Sequence, residues 1–230
     1  MIKTYNDCRI TVINKTFNPS AVISMACEIT QKKLLTNSIA SESLLEYLVK
    51  AEHTSVFEHC SLTVVIQNVS RSFLAQITRH RMSSFTCGSQ HYQEYNDYAD
   101  IIHPKITKDA YEIMEESISY SSGCYSDLLM EGVPAEEARQ VLPNSKAVNV
   151  MWTINARSLI NFLRMRLCYR NVTEMQLFAE KLLDVCTEWW PNLFEIIGPP
   201  CFMDNSCNQG KMRAKKCLGR AIGWPQTTLI

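Results

Sequence analysis

Residues 79–92 read Arg79-His80-Arg81-Met82-Ser83-Ser84-Phe85-Thr86-Cys87-Gly88-Ser89-Gln90-His91-Tyr92. The arginine side chains present rigid forks of donors that suit phosphate and carboxylate groups, and the histidine between them can change charge near neutral pH. The hydroxyl groups that follow can complete an anion site together with backbone amides. This pattern predicts an anion-binding site. The alternative is an exposed basic turn, which is the commoner outcome for an isolated Arg-His-Arg tripeptide.

The residues just before this stretch favour the binding site. Residues 70–78 read Ser-Arg-Ser-Phe-Leu-Ala-Gln-Ile-Thr and predict a short helix with Phe73, Leu74 and Ile77 on one face. A packed helix would hold the basic triplet on a rigid support, which suits a binding site better than a flexible loop does.

The overall composition limits the class of protein. A chain of 230 residues fits one domain or at most two small ones. The 23 Lys and Arg residues balance the 23 Asp and Glu residues, which argues against a general nucleic-acid-binding protein. Apolar runs are too short to span a membrane, and the opening residues show no signal-peptide core. We therefore expect a cytoplasmic protein that binds neither nucleic acid nor membrane.

The cysteines and glycines exclude two common kinds of site. The ten cysteines are scattered without a C-x-x-C pair, and we expect free buried thiols in a reducing cytoplasm. Cys201, Cys207 and Cys217 could bind zinc with one more ligand, but their spacing fits no standard zinc knuckle, and a loose surface tail is the favoured interpretation. The seven glycines form neither G-x-G-x-x-G nor a P-loop, which argues against a Rossmann nucleotide site.

The order of predicted elements favours an α+β fold in which helices cover a sheet. Residues 1–197 are expected to form one domain, followed by a Cys-, Gly- and Pro-containing tail at 198–230. Hydrophobic patterns predict strands at 9–14, 62–69 and 147–154, and helices at 41–53, 70–78, 107–131, 134–143, 155–166 and 173–190.

Local signals add detail to these elements. Residues 21–24, Ala-Val-Ile-Ser, are expected to end a short apolar segment before a polar loop. Ser43 with Glu46, and Thr173 with Gln176, are predicted capping boxes, and Asn155 is a predicted helix cap.

Four of the five histidines lie between residues 53 and 91. His53, Glu58 and His59 lack the helical H-E-x-x-H spacing, so the cluster is a poor metal site. We expect instead a junction between a helix and a strand, where polar groups converge on a ligand.

The stretch at 79–92 resembles the signature of the flavin-dependent thymidylate synthases, R-H-R-x-x-S-x-N-E-x-S-x-R-Y. Three positions depart from it, because Thr86 and Cys87 stand where the family has Asn-Glu and His91 stands where it has Arg. The positions that match are Arg79, His80, Arg81, Ser84, Ser89 and Tyr92.

The resemblance extends over about residues 20 to 195 in four further blocks. Residues 21–24 are similar to A-R-x-S, with Val22 in place of Arg. Residues 53–59 are similar to H-x-S/T-P-F-E-H, with Val56 in place of Pro. Residues 137–143 match E-A-R-x-V-L-P, and residues 155–166 match N-A-R-S-L-x-N-F-L-x-x-R.

The resemblance implies an activity and an assembly. Members of this family convert dUMP to dTMP, with methylenetetrahydrofolate as carbon donor and FAD, reduced by NADPH, as the source of hydride. They are homotetramers in which FAD lies across a subunit interface rather than in a Rossmann domain. The implied enzyme is therefore an FAD-dependent methyltransferase with active sites between subunits.

The resemblance also implies which residues form the site. Arg166 would be the catalytic residue, because a guanidinium can stabilise the negative charge that develops on the uracil carbonyl as C5 becomes nucleophilic. Arg170 stands where the family often has His. The residues implied to contact FAD are Ser24, Ser55, Glu58, Arg79, His80, Arg81, Asn155, Arg157, Asn161 and Arg170. Those implied to hold substrates are Gln76, Arg79, Ser89, His91, Arg139 and Arg166 for dUMP, with His53 and Tyr92 near the folate.

Two other functions stay open. The departures at Thr86, Cys87 and His91 would suit a flavin-binding relative that acts on a different nucleotide or is catalytically impaired. A nucleic-acid-binding protein that uses residues 79–81 is disfavoured by the neutral charge and the sparse aromatic residues. A nucleophilic role for Cys87 is also disfavoured, because a small neutral residue in place of Glu is more simply an adjustment of the loop in which Thr86 and Cys87 are expected to lie.

Overall fold

The computed structural model describes residues 3–32, 34–35, 38–90, 101–204, 207 and 209. Of the predicted site residues, His91 and Tyr92 lie outside the described residues, as does Cys217 of the possible zinc set.

The described chain is a mixture of strands, helices and three short 3-10 segments. The strands are β1 (Lys3–Thr4), β2 (Arg9–Lys15), β3 (Ser61–Ser70), β4 (Ser83–Cys87), β5 (Ile102–His103) and β6 (Ala147–Asn155). The helices are α1 (Pro19–Thr30), α2 (Glu42–Lys50), α3 (Arg71–Ile77), α4 (Lys108–Met130), α5 (Ala135–Ala138), α6 (Ala156–Arg166), α7 (Thr173–Trp189), α8 (Pro191–Phe194) and α9 (Pro200–Met203). The 3-10 segments are Tyr5–Asp7, Thr54–His59 and Arg139–Val141.

Two sheets organise the strands. The larger has the strand order β2-β3-β6-β4, and the smaller pairs β1 with β5 in parallel, with Lys3 opposite Ile102. Alternate side chains of β6 are buried, including Val150 and Trp152 at 0% exposure, because β-branched and aromatic residues fill one face of the strand. The prediction of an α+β fold is confirmed. None of the described helices is long and apolar enough to cross a membrane.

The chain divides into two compact units. The first unit contains α3, whose Phe73, Leu74 and Ile77 are buried as predicted, and α4, after which Gly132 adopts a left-handed φ of 81°. The units comprise Met1–Arg9, Val65–Arg79 and Phe85–Met151, and then Ile10–Val64, His80–Ser84 and Trp152–Ile230.

The second unit has an aromatic centre. The ring of Phe162 lies edge-on to those of Trp152 and Phe178, with ring centres 5.0 and 6.0 Å apart. All three side chains are at most 1% exposed. This cluster joins α6 and α7 to the end of β6, and so fixes the helix that carries Arg166.

Helix α1 corrects the prediction for residues 21–24. These residues lie inside α1 rather than before a loop. The helix begins because the Asn18 side chain accepts a hydrogen bond from the Ala21 amide and Pro19 occupies the first turn, where no backbone donor is needed.

Both predicted capping boxes are wrong. Ser41, not Ser43, caps α2 by accepting from the Leu44 amide. Helix α2 also ends at Lys50 rather than at residue 53, and Glu52 adopts a left-handed φ of 58°. Helix α7 follows Val172, which provides no side-chain cap.

Two further features differ from the sequence-based expectation. Strand β4 includes Thr86 and Cys87, which were expected to lie in a loop; Phe85 and the β-branched Thr86 suit a strand. The nine described cysteines are free, as predicted, but Cys87, Cys201 and Cys207 are exposed rather than buried.

Candidate active site

Helix α6 positions the candidate catalytic residue in the second unit. The helix begins where the Asn155 side chain accepts a hydrogen bond from the Ser158 amide at 2.9 Å, as predicted. Leu159 and Phe162 are buried on its inner face, which leaves Arg157 and Arg166 on other faces. Arg166 is the last residue of the helix and is half-buried.

The guanidinium of Arg166 is held by two neutral groups. Its Nε donates a hydrogen bond to His80 Nε2 at 3.1 Å, and its Nη1 donates to Asn171 Oδ1 at 3.0 Å. A ring nitrogen that accepts a hydrogen bond carries no proton, so His80 bears its proton on Nδ1 and is neutral. Neither of these two partners cancels the positive charge of Arg166.

Burial and the neighbouring cation keep His80 neutral. Burial of the imidazole and then the charge of Arg166 lower the pKa of His80 from 6.5 to about 4. Its ring lies edge-on to Phe162, with the ring centres 4.7 Å apart, and its carbonyl accepts a hydrogen bond from Ser83 Oγ at 2.6 Å. His80 is therefore an acceptor for Arg166 throughout the physiological pH range.

The lowered pKa of His80 predicts a pH dependence of stability. Between pH 6.5 and about pH 4 the unfolded chain binds a proton that the folded chain does not. The free energy of unfolding should therefore decrease as the pH falls through this window, and His80 should contribute no change above it. A titration of the His80 ring resonances by NMR measures the pKa directly.

The variant Arg166→Ala is the control for this titration. Removal of the cation should raise the pKa of His80 toward 6.5 but not to it, because burial is the larger cause. A wild-type His80 with a pKa near 6.5 would contradict the burial of its imidazole and the closeness of the Arg166 charge as causes of a lowered pKa.

Arg166 lies at the wall of an open pocket of about 380 Å³, a volume within the range of small-molecule sites. Two other arginines line it, and each is bound by a residue from the C-terminal part of the described chain. Arg164 Nη2 donates to Asp204 Oδ2 at 3.0 Å, and Arg170 Nη1 donates to Gln209 Oε1 at 2.6 Å. The remaining lining residues are Met165, Cys168, Asn171 and Pro200.

A second pair of predicted residues meets near the start of α6. Arg157 Nη1 forms an ion pair with Glu58 Oε1, and both side chains are about half exposed. Glu58 and the exposed Ser55 belong to the 3-10 segment Thr54–His59, which is joined to α6 by a 2.7 Å hydrogen bond from the Ala156 amide to the Cys60 carbonyl. The structure thus brings together two predicted flavin contacts that are 99 residues apart in sequence.

Other predicted flavin contacts differ in their accessibility. Ser24 is 7% exposed, and its hydroxyl lies 2.5 Å from Ser38 Oγ, which donates to Glu28. Arg81 and Asn161 are exposed, and Asn155 Oδ1 is engaged in capping α6.

The predicted substrate contacts are divided between the units. In the second unit, His53 is exposed and its ring centre lies 5.9 Å from that of Tyr47. In the first unit, Arg139 Nε donates to the Glu136 carbonyl at 2.9 Å. Also in the first unit, Gln76 is half-buried, and Arg79 and Ser89 are exposed.

Sequence reasoning missed Asn171. This residue follows the turn after α6, and asparagine is favoured in turns because its side chain bonds nearby backbone groups. That preference was the available signal. Among the described residues, no group of three or more His, Cys, Asp or Glu side chains could hold a metal ion.

Known proteins resemble this chain in sequence and in fold. The family described as thymidylate synthase complementing protein matches residues 11–192. A flavin-dependent thymidylate synthase from Clostridium tetani is 30% identical over 233 residues, covering 90% of this chain and 93% of that protein. One from Sulfurisphaera tokodaii is 40% identical over 151 residues, and the match spans 65% of this chain and only 59% of that relative.

A solved structure shows the same fold. The crystal structure of a UMP/dUMP methylase from Streptomyces cacaoi, bound with 5-Br dUMP, has a TM-score of 0.73 at 22% identity and covers 84% of this chain and 95% of its own. These matches confirm the prediction of an enzyme of the flavin-dependent methyltransferase kind at the level of the family. The chain belongs to the thymidylate synthase complementing protein family, the family of the flavin-dependent thymidylate synthases.

Proposed function

We propose that this protein is a flavin-dependent thymidylate synthase. The reaction converts dUMP, methylenetetrahydrofolate, NADPH and a proton to dTMP, tetrahydrofolate and NADP⁺. One observation carries the proposal for this chain: the guanidinium of Arg166 is fixed at a pocket wall by two neutral partners, His80 and Asn171.

This arrangement suits the difficult step of the reaction. For C5 of uracil to attack the carbon donor, electron density must move through the ring, and negative charge develops on the carbonyl oxygens. A cation held in a fixed position stabilises such charge better than water does, because it need not reorganise during the reaction. Arg166 would supply that charge, and no protein nucleophile is then required.

The residues present fit a flavin. FAD carries a pyrophosphate and a ring with carbonyl acceptors, and both need cationic or amide donors. The second unit offers the exposed side chains of Arg81, Arg157 and Asn161, and Arg170 lines the pocket. When bound and reduced, FAD would supply the hydride equivalent that completes the methyl group.

The open character of these residues supports a shared site. Arg157 and Glu58 are about half exposed, and Ser55 is also exposed. A protein usually buries most of the surface of a bound cofactor, and side chains on an open face cannot bury a large cofactor alone. We therefore include in the proposal a homotetramer in which a neighbouring subunit covers this face.

Isotope labelling tests the reaction. The enzyme is incubated with FAD, NADPH, dUMP and methylenetetrahydrofolate that carries two deuterium atoms on its methylene carbon. The proposal expects dTMP two mass units heavier than unlabelled dTMP, with one NADPH oxidised per dTMP and tetrahydrofolate as the folate product. Mass spectrometry of the nucleotide and chromatography of the folates provide the readouts.

The controls separate the alternatives. Parallel reactions contain UMP in place of dUMP, because Thr86, Cys87 and His91 depart from the family signature. Methylation of UMP alone would favour a relative with a changed substrate. A protein that binds flavin but methylates neither nucleotide would contradict the proposed activity.

A further inference from the structure

Asn171 joins the end of helix α6 to the Arg166 side chain. Its Nδ2 donates to the carbonyls of Met165 at 2.8 Å, Cys168 at 2.9 Å and Arg166 at 3.3 Å. Its Oδ1 accepts from Arg166 Nη1 at 3.0 Å. One amide therefore binds both the backbone and the side-chain end of the same arginine.

The contacts fix which way the amide points. A flipped amide would set Oδ1 against three carbonyl oxygens and the NH₂ group against a guanidinium, so that every contact would become repulsive. The orientation with Oδ1 toward Arg166 is thus the only one that satisfies the surroundings. Asn171 is itself anchored by its backbone amide, which donates to the Cys168 carbonyl at 3.0 Å.

Two points of attachment set the plane of the guanidinium. His80 accepts from Nε and Asn171 accepts from Nη1, so rotation of the planar group would break at least one hydrogen bond. Of these two acceptors, Asn171 is the one whose side chain also donates to the backbone carbonyls of Met165 and Arg166. It therefore holds the guanidinium relative to the helix end rather than relative to another element.

We propose that Asn171 is a positioning residue that orients the guanidinium of Arg166 at the pocket wall. The alternative role is capping alone, in which the amide merely satisfies the last carbonyls of α6. The two roles depend on opposite ends of the amide. Positioning requires the acceptor Oδ1, and capping requires the donor Nδ2.

Two substitutions separate these ends. Asn171→Asp keeps an acceptor of the same length for Arg166 but loses the donors to the carbonyls. Asn171→Ser keeps a hydroxyl donor for a nearby carbonyl but is too short to reach Arg166. If Asn171 positions Arg166, Asn171→Ser should free the Arg166 guanidinium more than Asn171→Asp does. If Asn171 only caps the helix, Asn171→Asp should free it more.

The reactivity of Arg166 toward phenylglyoxal measures its freedom without requiring turnover. Modification of the full-length protein is followed by peptide mass spectrometry, with Arg164 as an internal control, because Arg164 is held by Asp204 and not by Asn171. We expect Asn171→Ser to raise the Arg166 modification rate about tenfold, as the loss of one hydrogen bond to a charged group implies. Asn171→Asp should stay within about threefold of wild type, and Arg164 should not change.

Melting temperatures complete the design. Asn171→Asp should melt at a lower temperature than Asn171→Ser. That order would show that the two variants remove different hydrogen bonds of Asn171. If Arg166 reactivity instead follows the melting temperatures, or is the same in both variants, the positioning role is wrong. A rise in Arg164 reactivity equal to that of Arg166 would also overturn it, since it would indicate general loosening of the helix.

Turnover adds a readout that rests on the proposed function. Asn171→Ser should lower kcat by a larger factor than it raises KM for dUMP, because orientation matters most when charge develops on the uracil. If the protein methylates neither dUMP nor UMP, the proposed function fails while the phenylglyoxal result still decides the role of Asn171.

Discussion

Replacing Arg166 with alanine should lower kcat for dTMP formation by about a hundredfold to a thousandfold, the usual effect of removing one preorganised donor from developing negative charge. The protein should still bind flavin, because the exposed predicted flavin contacts Arg81, Arg157 and Arg170 are untouched. Turnover is measured with saturating dUMP and folate, and bound flavin is measured by its visible absorbance after desalting.

Arg164→Ala is the matched control for Arg166→Ala. Both changes remove one guanidinium from the same helix and the same pocket, but Arg164 donates to the carboxylate of Asp204 whereas Arg166 donates to His80 and Asn171. We expect Arg164→Ala to reduce kcat far less than Arg166→Ala. Equal losses would show that total charge, rather than the placement of Arg166, governs the rate.

Replacing Phe162 with alanine should lower the free energy of unfolding by about 3–5 kcal/mol, the cost of removing a fully buried aromatic ring. Phe162 is 0% exposed and contacts the rings of Trp152, Phe178 and His80. The cavity left behind would lie directly beneath the histidine that holds Arg166. Urea unfolding followed by tryptophan fluorescence measures the change.

Met165→Ala is the matched control for Phe162→Ala. Met165 lies on the same helix but is 45% exposed, so its truncation removes little buried surface. We expect its effect on the free energy of unfolding to be about 1 kcal/mol or less. If the two variants lose similar stability, the cluster around Phe162 is not the centre of the second unit.

The parts of the fold that depend on long apolar patterns are predicted well. Helix α4 is expected at 107–131 and is found at Lys108–Met130, because side chains repeat at helical spacing over six turns. The buried face of α3 follows in the same way. The capping boxes are predicted poorly, since Ser41 and Ser43 carry the same hydroxyl group and only the backbone geometry decides which one accepts the hydrogen bond.

Helix α1 shows why a short apolar run is ambiguous. Its signal lies in Asn18 and Pro19, a cap and a first-turn proline, whereas its apolar residues alone fit either a strand end or a helix. Strand β4 is hidden in a different way. Its hydroxyl-rich sequence suits binding chemistry, and its neighbour β6, which gives it a ladder of hydrogen bonds, comes far later in the sequence.

The candidate site was also predictable only in part. The resemblance to known enzymes names Glu58, Arg157 and Arg166, but only the structure shows that the first two form an ion pair and that the third is held by His80. The lowered pKa of His80 could not be predicted from the sequence, because burial and the approach of Arg166 both arise from the tertiary structure. Asn171 was missed because its role depends on an amide orientation that no sequence pattern records.

The pocket contains three guanidinium groups, yet it does not offer three equal attractions to an incoming anion. Arg164 already faces the carboxylate of Asp204, so a phosphate approaching it would meet a nearly compensated pair. Arg170 faces the neutral amide of Gln209, which a phosphate could replace without separating opposite charges. The positive potential within the pocket is therefore higher near Arg166 and Arg170 than near Arg164, and an elongated ligand with one anionic end should enter with that end toward Arg170 and Arg166.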